Sequence, residues 1–115
     1  MRLNQFDRFI QQIVREAGQS IRKNYGVVTT GRIKTGQHDI VTEADYAAER
    51  ILISAIRKKF PYHNIISEES GELLGKSQHT WVIDPLDGTN NFARQIPLFG
   101  VIVAFVERST VTHGC

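Results

Sequence analysis

A chain of 115 residues, 41% apolar and 23% charged, is long enough to bury one core and has the composition of an ordinary globular protein. Its net charge of +2 is small and its basic residues are scattered, so charge alone supports no nucleic-acid surface. The single cysteine, Cys115, excludes an internal disulfide; no signal-peptide core or bilayer-length apolar run is present, so a soluble cytoplasmic protein without membrane contact is expected.

The first element is a long amphipathic helix. Phe6, Phe9, Ile10, Ile13, Val14, Ala17 and Ile21 fall on one stripe, with Asn4 as its cap and Gly26 as its stop. Val27 to Lys34, rich in Val, Thr and Ile, reads as a strand or extended arm, and Thr35 to Asp39 as a polar loop. A second helix opens at Thr42, with Asp45 three residues on in a capping-box-like arrangement. Its expected apolar face is Ala44, Ala47, Ala48, Ile51, Leu52, Ala55 and Ile56, and Pro61 follows its end.

Beyond Pro61 the period changes. Asn64 to Ser67 is a short buried-strand run ending at Glu68-Glu69, and Gly71 to Gln78 reads as a surface loop. Thr80 to Ile83 is a second strand, ending at Asp84. Phe99 to Val106 is a third, and a turn at Glu107-Arg108-Ser109 leads into Thr110 to Cys115. Two helices followed by strands predict a layered α/β sandwich, the helices packed on a mixed or antiparallel sheet. No repeat, low-complexity tract or linker divides residues 1–115, so one domain, or part of one, is expected.

Glu68 and Asp84 each follow a short β-type run, and adjacent strand ends set such carboxylates side by side, where they repel unless a cation lies between them. Asp87 comes three residues after Asp84, across Pro85 and Leu86. Proline stops a helix or ladder from continuing, so the chain is expected to turn there, aiming both aspartates into one pocket and freeing the Leu86 carbonyl. Three carboxylates and a carbonyl make an all-oxygen site suited to Mg²⁺ or Mn²⁺ rather than zinc. Gly88-Thr89 at a helix start would add backbone amides for a phosphate and a hydroxyl to orient a water. Singly, Asp-Pro and Asp-Gly are ordinary turn formers and Glu68-Glu69 an ordinary surface pair. Metal ligands, phosphate cradle and water-positioning group within the six residues 84–89 point instead to metal-assisted hydrolysis of a phosphate monoester.

Trp81 to Phe92 resembles the first signature of the inositol monophosphatase family, Asp-Pro-aliphatic-Asp-Gly-Thr-x-Asn-Phe. Ile66-Ser67-Glu68-Glu69-Ser70 resembles its Glu-Glu-Ser metal segment, and Asp39 to Asp45 its Asp-x-Val-Thr-x-x-Asp stretch. The resemblance implies that Glu68, Asp84 and the Leu86 carbonyl hold a first metal, and that Asp84 bridges to a second, shared with Asp87. It implies that Thr89 with Glu68 activates the water, and that the Gly88 and Thr89 amides hold phosphate. It also implies that Leu86 and Asp87 face the substrate, Asp87 against the substrate's hydroxyls, and that Asp45 fixes Thr89 or the water network. Lys34 and Glu69 are weaker candidates for supporting roles. His38, His63, His79 and His113 form no ligand spacing and are expected at the surface.

The resemblance further implies inositol monophosphate as substrate, lithium sensitivity and a homodimeric full-length parent. Family members are more than twice this long and carry a later Trp-Asp metal motif, so the chain reads as a truncated N-terminal portion, inactive alone. Two alternatives stand beside this reading. Phosphatases of 3′-phosphoadenosine phosphate or fructose bisphosphate share the metal scaffold, although Asn90-Asn91-Phe92 favours the inositol branch. The bacterial SuhB-type members, similar in general pattern, bind transcription machinery, which makes a noncatalytic partner of a transcription complex the other alternative.

Overall fold

The apolar stripe at Phe9, Ile10, Ile13, Ala17 and Ile21 winds Gln5–Asn24 into helix α1 and buries one side of it, with Phe6 and Val14 packed at the margin. A computed structural model describes residues 5–25, 32–33, 40–41, 43–73, 75, 77–94, 96–97, 99–107 and 110–115. The expected cap Asn4 and stop Gly26 lie outside these residues. At the end of α1 the Asn24 side-chain amide donates to the Ser20 carbonyl, one turn back, at 2.9 Å. The expected Val27–Lys34 strand is described only as β1, Arg32–Ile33, which pairs antiparallel with β2, Ile40–Val41.

Helix α2 spans Glu43–Lys59; the expected cap Thr42 is outside the described residues. Its buried side chains are Ala44, Asp45, Ala48, Glu49, Leu52 and Ile56, whereas Ala47, Ile51 and Ala55 are only half-buried. The inward face is therefore rotated from the one the apolar residues predict. Two carboxylates occupy positions on it, and the displaced apolar residues line a groove along the outer side of the α1–α2 seam.

The five-stranded sheet has the order β4-β3-β5-β6-β7. Its strands are β3 Asn64–Ser67, β4 Gly71–Leu73, β5 His79–Asp87, β6 Gly100–Glu107 and β7 Thr110–Gly114. The β3–β5 pair is parallel and every other pair antiparallel, so the sheet is mixed, with both helices on one face. Trp81, Ile83, Val103 and Phe105 point into that helical layer; Ile66, Val82 and Ile102 lie exposed on the opposite face. Among the described residues, no helix is long and apolar enough to cross a membrane.

Two sequence expectations fail here. Gly71–Leu73, read as loop, is the edge strand β4, entered through Gly71 at φ 72°. An edge strand with both faces largely wet needs no apolar alternation, so its sequence carries no strand signal. The second strand does not end at Asp84 but runs through Pro85 to Asp87. Its register with β6 shifts between Asp84 and Asp87, and such an irregularity accommodates a residue that cannot donate to the ladder.

Trp81 is fully buried at the centre of an aromatic cluster with Phe9, Phe60 and Phe105. Its indole N–H donates to His63 Nδ1 at 3.1 Å, which gives the one polar atom of the ring a partner. His63, expected at the surface, is thus half-buried, stacked between Phe60 and His79. His79 is partly exposed and meets Glu107 at 3.0 Å.

Candidate metal and phosphate site

The parallel pairing of β3 and β5 ends at Ser67 and Ile83, before β5 itself ends at Asp87. Ser67 is in register with Ile83, and the Glu68 amide donates to the Ile83 carbonyl at 3.2 Å. Glu68, the next residue after β3, therefore stands beside Asp84, the next after Ile83. Glu68 is exposed and Asp84 half-buried.

Asp84 to Thr89 reaches the site differently from the turn that Pro85 suggested. Pro85 and Leu86 are buried while Asp87 is exposed at the strand's end. The reversal comes one residue later, at Gly88 with φ 83°, a conformation costly for a side chain with a Cβ. Helix α3, Thr89–Ala93, starts there, and the Phe92 amide donates to the Gly88 carbonyl at 3.0 Å. Buried Phe92 anchors the helix against Tyr25 and Phe99.

The Thr89 hydroxyl lies 2.9 Å from Asp45 Oδ1 and 3.0 Å from the Leu86 carbonyl. Both partners only accept, so the single hydroxyl proton is directed to them and the lone pairs of Oγ1 remain on its other side. Asp45, fully buried in the first turn of α2, thus holds Thr89 across 44 residues of sequence. One helical turn along, Glu49 is buried as well and receives hydrogen bonds from Ser67 and Ser70. Sequence reasoning passed over Glu49. The available signal was its spacing, four residues after Asp45 and between the inward-facing Ala48 and Leu52.

Electrostatics mark Asp84 as the centre of the cluster. Burial first, then the negative charges of Asp87 and Glu68 and more weakly that of Asp45, hold its carboxyl above the ordinary carboxylate range; a backbone hydrogen bond at Leu86 pulls the other way. A divalent cation would relieve that repulsion, and the donors are carboxylate and carbonyl oxygens, the chemistry of a hard-metal site. Among the described residues, no three His, Cys, Asp or Glu side chains stand close enough together to enclose an ion as they lie. The donor set fits a metal, and the exposed Glu68 and Asp87 side chains are the ones that would have to turn inward. Glu69 is half-buried, while Lys34 and His38 lie outside the described residues, as does the side chain of His113.

The profile of the inositol monophosphatase family matches residues 2–115. "Nus factor SuhB" of Escherichia coli K12 is 50% identical over 92 residues, covering 78% of this chain and 34% of that protein. "Fructose-1,6-bisphosphatase/inositol-1-monophosphatase" of Thermotoga maritima is 40% identical over 106 residues, covering 92% and 41%. The crystal structure of extragenic suppressor protein suhB from Bartonella henselae superposes with a TM-score of 0.88 at 34% identity, covering 93% of this chain and 42% of that one. The chain thus spans between a third and a half of the length of these relatives.

Proposed function

The chain belongs to the inositol monophosphatase family, and from that premise we propose that residues 1–115 form the N-terminal metal- and phosphate-binding part of a Mg²⁺-dependent, lithium-sensitive phosphomonoesterase, with inositol monophosphate as the preferred substrate. The observation that carries the reading is the meeting of Glu68 with Asp84 at one end of the parallel β3–β5 pair, beside a Thr89 hydroxyl already committed to Asp45.

In this reading Glu68, Asp84 and the Leu86 carbonyl would hold a first Mg²⁺, and Asp84 with Asp87 a second; Mn²⁺ could substitute. The cations would supply neutralisation of charge on the phosphate and on the departing oxygen. The rest is the work of the chain itself. Asp45 keeps the Thr89 proton turned away, so Oγ1 accepts a hydrogen bond from a water, and Glu68 accepts a second. Together they aim that water at phosphorus, and Glu68 takes one of its protons as the new P–O bond forms, while the other stays on the new phosphate oxygen, hydrogen-bonded to Thr89. The ester P–O bond breaks on the opposite side, and the leaving alkoxide takes a proton from solvent water to become the alcohol. The Gly88 and Thr89 amides bind the phosphate oxygens, and Asp87 faces the hydroxyls of the substrate.

The test uses a chimera in which residues 1–115 replace the matching part of the Thermotoga relative, assayed beside the chain alone for phosphate release. Inositol 1-phosphate, 3′-phosphoadenosine 5′-phosphate and fructose 1,6-bisphosphate are compared with Mg²⁺ and with excess chelator. The reading expects inositol 1-phosphate to be preferred by the chimera, activity to vanish in chelator, and the chain alone to turn over little. Full activity in chelator sinks it.

A second reading rests on the Escherichia coli relative's description as a Nus factor. In it the protein is a partner of a transcription complex, and the carboxylates are incidental. Asp84→Asn separates the two: it abolishes a hydrolytic role and leaves a docking role intact.

A further inference from the structure

The buried carboxylate of Glu49 is unassigned in the mechanism above. It is 6% exposed, and among the described residues no Lys, Arg or His pairs with it. Burying a carboxylate without a cation is costly unless hydrogen bonds answer it. Here they come from two serines: Ser67 Oγ donates to Oε2 at 2.7 Å, and Ser70 Oγ donates to Oε1. Ser67 is the last residue of β3, and Ser70 closes the turn that precedes Gly71. The two residues between the serines are Glu68 and Glu69. One carboxylate therefore grips both ends of the turn that presents Glu68.

The same helix repeats the device one turn earlier, where Asp45 grips Thr89 at the start of α3. Residues i and i+4 of a helix lie on one face, so α2 carries the two grips side by side. One holds the Glu68 turn and the other the end of the Asp84–Thr89 segment. A rigid helix thereby sets the spacing of two otherwise separate loops.

We infer that Glu49 is a positioning residue of the metal site: by accepting hydrogen bonds from Ser67 and Ser70, it fixes the backbone of the intervening turn and so the place of the Glu68 carboxylate. The inference rests on the metal-site reading above. Groups that orient metal ligands typically change metal affinity or activity about 10–100-fold when removed. Glu49→Gln keeps the size and can still join both serines, because hydroxyls rotate to accept as well as donate. It should restore most of what Glu49→Ala loses.

The experiment measures two things on the full chain. Mn²⁺ affinity is read from paramagnetic relaxation, and amide exchange from the metal-free protein. Glu49→Ala should weaken Mn²⁺ binding about tenfold. It should also speed exchange of the Glu68 amide while leaving the mutual Val103–Cys115 backbone pair as protected as before. Ser70→Ala, at an exposed position, removes one of the two bonds without stranding the carboxylate completely, and should weaken Mn²⁺ roughly threefold. It serves as the measure if Glu49→Ala does not fold. Asp84→Asn is the control. If that change abolishes Mn²⁺ binding while Glu49→Ala and Ser70→Ala bind within twofold of the unaltered chain, the role of Glu49 is overturned and the metal site stands. If all variants bind Mn²⁺ as the unaltered chain does, both readings fall together.

Discussion

Helices α1 and α2 lie against one another on the same face of the sheet, yet the residues they bury differ in kind. The buried side chains of α1 are Phe9, Ile10, Ile13, Ala17 and Ile21, all apolar. Those of α2 include Asp45 and Glu49, and its smallest ones, Ala44 and Ala48, sit beside the carboxylates. Apolar area removed from water is what α1 contributes to stability. The buried face of α2 gives up part of that gain to desolvate two charged groups, and each is answered by hydroxyls belonging to a turn of the candidate site. One helix buries only apolar side chains; its neighbour also sets two carboxylates against turns of the candidate site.

That division is exposed by changes that should separate activity from stability. The largest effect is expected at Asp84. In the chimera, Asp84→Asn should lower kcat/KM about a thousandfold, near 4 kcal/mol of transition-state stabilisation. The folded chain should not suffer: burial and the charges of Asp87, Glu68 and Asp45 already disfavour an ionised Asp84, so the metal-free variant should melt at an equal or higher temperature. A large drop in melting temperature would contradict this.

Ile13→Ala on α1 should do the reverse. Truncating this 2% exposed side chain leaves a cavity, and such changes cost about 2–5 kcal/mol, readable as a lower urea midpoint. At a temperature where the variant remains folded, kcat/KM of the chimera should stay within about twofold. Asp45→Asn on α2 is intermediate. An amide can still accept from Thr89 but without charge, and activity should fall about 10–100-fold with KM for the substrate nearly unchanged.

The smallest expected effect is a pH dependence far from the site. Burial, and then the charge of His79, lower the pKa of His63 from its ordinary 6.5, and its Nδ1 accepts from the Trp81 indole. As pH falls through about 6.5 the unfolded chain takes up a proton at His63 before the folded chain does, so stability is full above that value and declines below it. Urea midpoints at pH 7.5 and 5.5 should show the decline, and His63→Phe should reduce it. The metal-ion affinity of variants measured at pH 7.5 should be unaffected by that replacement.

The contrast between the helices also explains what the sequence could and could not reveal. The stripe of α1 is apolar throughout and periodic, so burial and pattern coincide, and the helix reads directly from the chain. In Asp84–Thr89 the candidate chemistry is gathered within one short stretch, so a site can be proposed there from sequence, although Pro85 misplaces the turn of the backbone within it. Helix α2 misleads, since Ala47, Ile51 and Ala55 are apolar but half-buried, while Asp45 and Glu49 take inward positions that composition assigns to solvent. What rescues those carboxylates is 44, 18 and 21 residues away, at Thr89, Ser67 and Ser70, and no local window contains it. Pro85 argued for a turn on a local rule; the shifted register against β6 shows the strand accommodating it instead. Edge strand β4 left no pattern because both of its faces are largely wet.

The central claim, that the two grips of α2 bring Glu68 and the Asp84–Thr89 segment to one metal site, is tested most directly by mapping Mn²⁺ broadening of the amide NMR signals of the chain. The account predicts that signals of Glu68, Asp84, Asp87, Gly88 and Thr89 broaden first and together, while those on the outer side of α1, such as Gln12 and Glu16, are spared until much higher concentration. Broadening centred elsewhere, or reaching Glu68 without Asp84 or Asp84 without Glu68, would contradict it.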